Sequence, residues 1–168
     1  MYTFDDIAAM SGDEEPLPNW TWRISQFPTF GSLQLSPKMV KSCTLPLPKF
    51  SPRSKNIGAT TVTSAGMSEV DAFDLVLQEN QRVDALKYVN NWMANIQNPN
   101  TGGYYLPSRY KKNIEVVLFN VLGEPILNAT LKNVWPTTIQ SWELNSESGF
   151  RELSVNFACD ATILDFLL

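Results

Sequence analysis

Two pairs of carboxylates stand close enough in the chain to share a site, Asp71 with Asp74 and Glu143 with Glu147. A carboxylic acid beside a carboxylate nucleophile or base is the equipment of glycoside hydrolysis. That chemistry needs an apolar pocket to raise the pKa of one member, and nothing in the sequence places either pair in one. Solvated surface charge is the plainer reading, and no catalytic residue is assigned. The chain has no histidine, so it lacks the commonest general base, the Ser-His and Cys-His nucleophile pairs and the most frequent zinc ligand. Cys43 and Cys159 lie far apart without C-x-x-C spacing. They are expected as buried free thiols in a reducing compartment, not as a disulfide or a metal pair.

Nucleic-acid chemistry fares little better. Arg109-Tyr110-Lys111-Lys112, with Tyr104 and Tyr105 nearby, mixes cations and aromatics as single-strand binders do. The same cluster also suits the start of an edge strand, where charge blunts pairing with strangers. Thr101-Gly102-Gly103 lacks the lysine and the spacing of a phosphate loop, and it follows a helix instead of preceding one. No cofactor and no metal are expected. With 13 basic against 17 acidic residues the net charge is −4, which argues against a protein that grips a phosphate backbone. It does not exclude a conduit past which DNA slides, because few cations mean few phosphate contacts and little friction.

The elements that must position these residues follow from pattern. At 168 residues the chain is read as one domain with a core that needs no disulfide or metal. Only 18% of residues are charged, fewer than usual, which favours contact with other proteins over an all-round solvated surface. Residues 1–18 are read as an N-terminal arm, with a helical turn at Phe4 to Met10 and then the polar run Ser11 to Pro16. Asp5 and Asp6 stand where an export signal would carry cations, and no apolar run reaches the roughly 18 residues of a membrane span.

From Trp20 the pattern has period two, with Trp20, Trp22 and Ile24 on one face of a strand. A second strand is predicted over Met39 to Leu45. Pro46, Pro48 and Pro52 then exclude regular ladder pairing across Leu45 to Arg53, leaving an extended, exposed segment. Ile57 to Thr63 and Val70 to Gln78 read as further strands joined by Ser64 to Ser68. One helix is predicted over Gln81 to Gln97 from the helical spacing of Val83, Leu86, Val89, Met93 and Ile96. Asn113 to Asn120 and the alternating Leu127, Ala129 and Leu131 form a hairpin, and Leu153, Val155, Phe157 and Cys159 give the cleanest strand in the chain. Trp20, Trp22 and Trp92 are expected in the core, whereas Trp135 and Trp142 suit either core or interface.

The order helix, Tyr110-Lys111-Lys112, hairpin, Trp135-Pro136-Thr137, Trp142-Glu143-Leu144-Asn145-Ser146 and a last strand from Glu152 to Cys159 resembles the tail tube protein family of contractile-tailed bacteriophages. The resemblance covers about Val70 to Asp160 and rests on the sequence of parts more than on the Trp-Pro-Thr tripeptide. It implies an α+β subunit, mainly β with one long helix, with a β-sandwich or barrel domain over residues 19–162; the proline segment Leu45 to Arg53 and the apolar tail at 163–168 depart from the plain tube subunit and would suit a baseplate protein that starts the tube. Six copies would then complete a continuous 24-stranded β-barrel in a hexameric ring.

The resemblance further implies a structural virion protein and no enzyme, with stacked rings guiding DNA and tape-measure protein. Its partners would be itself and other tail proteins (sheath, baseplate hub and tape measure), with DNA only as passing cargo and no membrane. The protein would be assembled in the host cytoplasm and reside in the virion tail. Lumen-facing candidates are Asp74, Glu152, Asn156 and Asp160. Inter-subunit candidates are Pro46, Pro48, Phe50, Tyr104, Tyr105, Trp135, Phe166 and Leu167. Three alternatives stay open: a baseplate protein that initiates the tube, a tube protein of type VI secretion, and, from another class, a monomeric ligand-binding β-barrel.

Overall fold

The computed structural model describes residues 17–142, 144 and 149–167. Nine strands and two helices follow in order: β1 Trp22–Gln26, β2 Val40–Cys43, β3 Pro48–Ile57, β4 Thr60–Val70, β5 Phe73–Gln78, α1 Asp84–Ala94, α2 Pro107–Tyr110, β6 Lys112–Phe119, β7 Pro125–Ile139, β8 Glu152–Ala158 and β9 Ala161–Phe166. Every named pair is antiparallel. The Phe4–Met10 turn and the Glu143/Glu147 pair lie outside the described residues.

β7 organises the rest. It is 15 residues long, and its first part pairs with β6 through Pro125 to Val134 and with β9 through Leu127 to Lys132. Its second part pairs with β8, Trp135 opposite Ala158 and Ile139 opposite Val155. Because Lys132 faces Ala161 and Trp135 faces Ala158, β8 and β9 run end to end along one edge of β7, broken only at Cys159-Asp160. The result is two four-stranded half-sheets sharing one bent strand, β1-β6-β7-β9 and β7-β8-β5-β2.

The bend has a local cause. Asn133 has φ 54°, a left-handed conformation that asparagine tolerates better than most residues. Its backbone N–H donates to Asn113 Oδ1 at 3.1 Å, and its side-chain Nδ2 donates to Asp160 Oδ2 at 2.9 Å. Lys111 Nζ donates to both Asp160 oxygens at 3.0 and 2.9 Å, and the Asp160 N–H donates to the Lys132 carbonyl at 3.0 Å. Asp160 therefore closes the break between β8 and β9 and holds the kink in β7. The Lys111 ammonium, with help from Asn133, pulls the Asp160 carboxyl below its ordinary pKa.

Between the half-sheets lies the core. Ile24, Ile114, Val116, Ala129 and Leu131 come from one side, and Phe73, Leu75, Leu77, Leu153, Val155 and Phe157 from the other. α1 closes it with Ala85, Tyr88, Val89 and Trp92, the i, i+3, i+4, i+7 set that makes one helical stripe. Trp92 is the hub: its ring lies 5.0 Å from Phe30, 5.5 Å from Phe157 and 5.9 Å from Tyr88, and its Nε1 donates to the Tyr110 carbonyl at 2.7 Å.

α1 is shorter than the predicted span over Gln81 to Gln97. Before Asp84, Val83 adopts φ 58°. Asn80 Oδ1 accepts from the Arg82 and Asp84 N–H groups, while Glu79 accepts from those of Ala85 and Leu86 at 3.0 and 2.9 Å. These two side chains do the work of an N-cap and fix the start three residues late.

Four other expectations change. Trp20 is 75% exposed and precedes β1, so only Trp22 and Ile24 turn toward the core. Ser64 to Ser68 is no connection but the middle of β4; the chain reverses at Gly58-Ala59, where Gly58 has φ 63°. The proline segment does pair: β3 and β4 form a two-stranded hairpin detached from both half-sheets. The ladder slips between Phe50 and Pro52, opposite Gly66, where any Cβ would collide with the Ser51 carbonyl oxygen. A bulge and a strand paired on one side only are the settings in which proline is tolerated. Ile163 to Phe166, expected in an apolar tail, belong to β9.

Two outcomes are expected. Trp92→Ala removes the hub of the core and lowers unfolding free energy by about 3–5 kcal/mol in chemical denaturation. Asp160→Ala costs about 1 kcal/mol at pH 7, since its ion pair with Lys111 is partly solvated. With the folded pKa lowered, that stabilisation is fully present above the ordinary carboxylate range and lost as pH falls through the folded value. The stability gap between variant and parent should therefore narrow in denaturation curves as pH is lowered below the ordinary carboxylate range.

Candidate functional site: a polar sheet face with two open edges

In β5 and β8 the residues alternate, with Phe73, Leu75 and Leu77 facing Phe157, Val155 and Leu153 across the core side of the ladder. The other face is therefore set by the residues between them, Asp74 opposite Asn156, Val76 opposite Ser154 and Gln78 opposite Glu152. Asn156 Nδ2 donates to Asp74 Oδ1 at 2.9 Å, and Thr137 Oγ1 donates to Asn156 Oδ1 at 2.8 Å. One hydrogen-bonded row thus crosses three strands. At the far side Lys41 forms an ion pair with Glu152. Apart from Val76 the face is hydroxyl, amide and carboxylate, with Lys41 tied to an acid.

Three of the four lumen candidates, Asp74, Asn156 and Glu152, meet on this face. Asp160 lies elsewhere, at the bend with Lys111. Thr137 and Lys41 belong to the face and escaped sequence reasoning. Neither stands in a clean alternation, because the β7 register shifts between Pro136 and Thr138 and the β2 register between Val40 and Ser42.

Both margins of this half-sheet are open among the described residues. β2 pairs with β5 alone, and the second part of β7, Trp135 to Ile139, pairs with β8 alone. Pro136 sits in that margin, buried, facing Phe157 at the bulge. The Trp-Pro-Thr tripeptide, read as a corner, is the strand segment just beyond the true corner at Asn133.

The inter-subunit candidates scatter. Pro48 and Phe50 lie on the β3–β4 arm, where Phe50 is 64% exposed, together with exposed Val62 and Met67. Pro46 is buried within the subunit. Tyr104 is exposed, whereas Tyr105 is half-buried beneath the Arg109 guanidinium, 3.8 Å from its ring centre. Trp135 packs edge-on against Tyr110 at 5.9 Å. Phe166 and Leu167 are exposed at the end of β9.

The described carboxylate pair is not assembled as catalytic equipment. Asp71 pairs with Lys49 on the surface and Asp74 with Asn156, so the two carboxylates serve separate contacts. Among the described residues no group of three metal-ligating side chains converges. Burial pushes the Cys43 thiol up to about 12 and raises that of Cys159, which makes both poor nucleophiles at neutral pH. No described helix is long and apolar enough to cross a membrane.

No family model matches the chain, and no curated protein does. Solved structures do. The tube-terminating cap of the anti-feeding prophage superposes with TM-score 0.68 at 17% identity, covering 91% of this chain and 93% of the other. The sheath/tube terminator of the extracellular contractile injection system PVC, in its extended state, gives 0.67 at 17% identity over 90% and 98%. The sheath–tube complex of the same system gives 0.66 at 17% identity over 99% and 100%. The chain has the fold found in these components of contractile tails and injection systems.

Proposed function

We propose that the chain is a structural subunit of the tube of a contractile tail or injection system, closing into rings through the two open margins of its polar half-sheet. The observation that carries this reading is the half-sheet itself: four strands, a polar face on one side, core on the other, and, among the described residues, an unpaired backbone at both ends. A lone monomer would leave these edges as templates for uncontrolled pairing. Head-to-tail joining of β2 of one copy to the second part of β7 of the next satisfies both at once and, being heterologous, closes if the rotation per copy allows.

Six copies would supply 24 strands. At about 4.8 Å per strand and tilts up to 45°, the barrel has a backbone diameter of roughly 37–52 Å, enough to pass a duplex about 20 Å across. The wall facing that lumen would be the Asp74–Asn156–Thr137 row and the Lys41–Glu152 pair, which offers few cations to hold a phosphate backbone. No step of this role needs catalysis.

The β3–β4 arm suits axial contact. Ten residues of extended strand reach about 33 Å, and a two-stranded hairpin alone gains little stability until something covers it. Whether the subunit builds the tube body, begins it at a baseplate or ends it as a cap is a matter of copy number. A body protein would be among the most abundant in the particle, and an initiator or cap would fill one or two rings.

Negative-stain microscopy of the purified protein should show rings or short tubes. Thr138→Lys, at an exposed position on the β7 margin, should reduce the ring population at least about tenfold while leaving circular dichroism and thermal unfolding unchanged. A parent protein that stays monomeric at all concentrations and beside its tail partners would overturn the proposal.

A further inference from the structure

Charge is unevenly spread along this chain. Residues 81–112, which hold α1 and α2, carry five of the 13 basic residues and one of the 17 acidic ones, leaving 8 basic against 16 acidic elsewhere. The one acid, Asp84, accepts from Asn80 Nδ2 at 2.7 Å, and Lys111 is taken by the Asp160 carboxylate. Arg109 donates through Nε to Asn95 Oδ1 at 2.8 Å, Lys112 donates to the Ser108 carbonyl at 3.4 Å, and Lys87 donates to the Arg82 carbonyl. Among the described residues these three cations have only neutral partners, so their charge is not cancelled within the subunit.

Arg109 and Lys112 stand in one groove of about 470 Å³, walled by residues 29–31 on one side and by Asn91, Ala94 and Asn95 on the other. Among the described residues no acidic side chain lines it. The wall is pinned to α1, since the Tyr88 hydroxyl donates to the Pro28 carbonyl and Asn91 Nδ2 to that of Phe30 at 3.3 Å. Lys87, Asn91 and Asn95 follow at i, i+4 and i+8 on one side of α1, so exposed Lys87 continues the groove roughly 12 Å from its Asn95 end. The helix dipole gives Arg109 a structural reason to sit at the C-terminal end of α1, but it disfavours a cation near the other end, where Lys87 stands. α1 covers the core side of the β7-β8-β5-β2 half-sheet, with Trp92 5.5 Å from Phe157, so the groove opens away from the Asp74–Asn156 face.

We infer that this groove takes an acidic peptide segment of a second protein, with one carboxylate at Arg109 and Lys112 and another at Lys87. The Asn91 and Asn95 amides between them can meet the polar groups of the same segment. A single phosphate would engage only one end of the stripe, and a nucleic acid would approach a chain whose net charge is −4. Two carboxylates about 12 Å apart lie seven or eight residues apart on a helix, or about four apart in an extended strand. In a ring closed as proposed above, the polar half-sheet face turns to the lumen and this groove opens on the outer wall, so the partner would stand outside the tube. Only that placement rests on the ring reading, because the groove is complete within one subunit.

The probe is a fluorescein-labelled poly-glutamate peptide, with poly-glutamine of equal length as its neutral counterpart, read by fluorescence anisotropy on the full chain. Poly-glutamate should bind and poly-glutamine should not, and the affinity should fall as salt is added. Arg109→Gln with Lys112→Gln should weaken binding roughly five- to tenfold, the effect of two exposed ion pairs. Lys87→Gln with Lys112→Gln leaves the Arg109 contacts to Asn95 and Tyr105 in place and should act alike if the first variant does not fold. Arg53→Gln with Lys55→Gln, exposed on β3, should change nothing. Absence of poly-glutamate binding, or an equal loss from the β3 variant, would overturn the inference. So would oligo-dT bound as tightly through the same residues, displacement of the probe by inorganic phosphate beyond the effect of sodium chloride at equal ionic strength, or self-association that the groove variants abolish. These results would make the occupant a nucleic acid, a small anion or a second copy. Binding is read per subunit whether or not rings form, so its failure leaves ring closure untouched, and a protein that never closes rings can still pass.

Discussion

One residue in a left-handed conformation shapes this subunit. Asn133, with its positive φ, stands where β7 passes from its pairing with β6 and β9 to its pairing with β8, at the junction of the two half-sheets. The positive φ turns the second part of the strand, so β8 and β9, which follow β7 end to end, turn with it. The half-sheets then face each other across a common core. Asp160 is the complementary part of the device: it stands opposite the kink, accepts from Asn133 and Lys111, and keeps the β8–β9 break in register with the bend.

The bend decides what lies inside and what is left open. Folding the sheet on itself buries Leu75, Val155 and Phe157 against α1 and the other half-sheet, which puts Asp74, Asn156 and Glu152 on the outside by simple alternation. It also makes β6 begin at the kink, since its first residue, Lys112, lies opposite Val134. Beyond that point the β7 margin has no strand neighbour among the described residues of its own chain. An intact core and a hydrogen-bond ladder left incomplete among the described residues thus share a cause, and the proposed ring closure would use both.

Neighbouring solved structures share the fold at identities of 17%. Conservation of shape at so little sequence identity fits the physics, because alternating strands around an aromatic-filled core accept many apolar combinations. The polar outer face is freer still. Its role in a conduit would be to avoid holding cargo, a requirement that many hydroxyl and amide side chains meet equally.

Sequence alone set much of this. Period-two runs at Leu153 to Cys159 and Leu127 to Leu131 fixed which residues face the core, because alternation is a property of the strand itself. Helical spacing placed α1, but the stripe read from Val83, Leu86, Val89, Met93 and Ile96 is rotated in the structure to Ala85, Tyr88, Val89 and Trp92, and the absence of histidine removed most catalytic chemistry before any fold was known. The helix start was not legible, because Glu79 and Asn80 cap it only once the backbone has turned at Val83. Nor was the pairing of the proline segment, since a bulge opposite Gly66 exists only when the strands β3 and β4 meet. Tertiary structure also separated Asp160 from Asp74, Asn156 and Glu152. Period two names two faces but not their surroundings, and a break of two residues between β8 and β9 sent Asp160 to the corner, where Lys111 and Asn133, distant in sequence, were waiting to bind it.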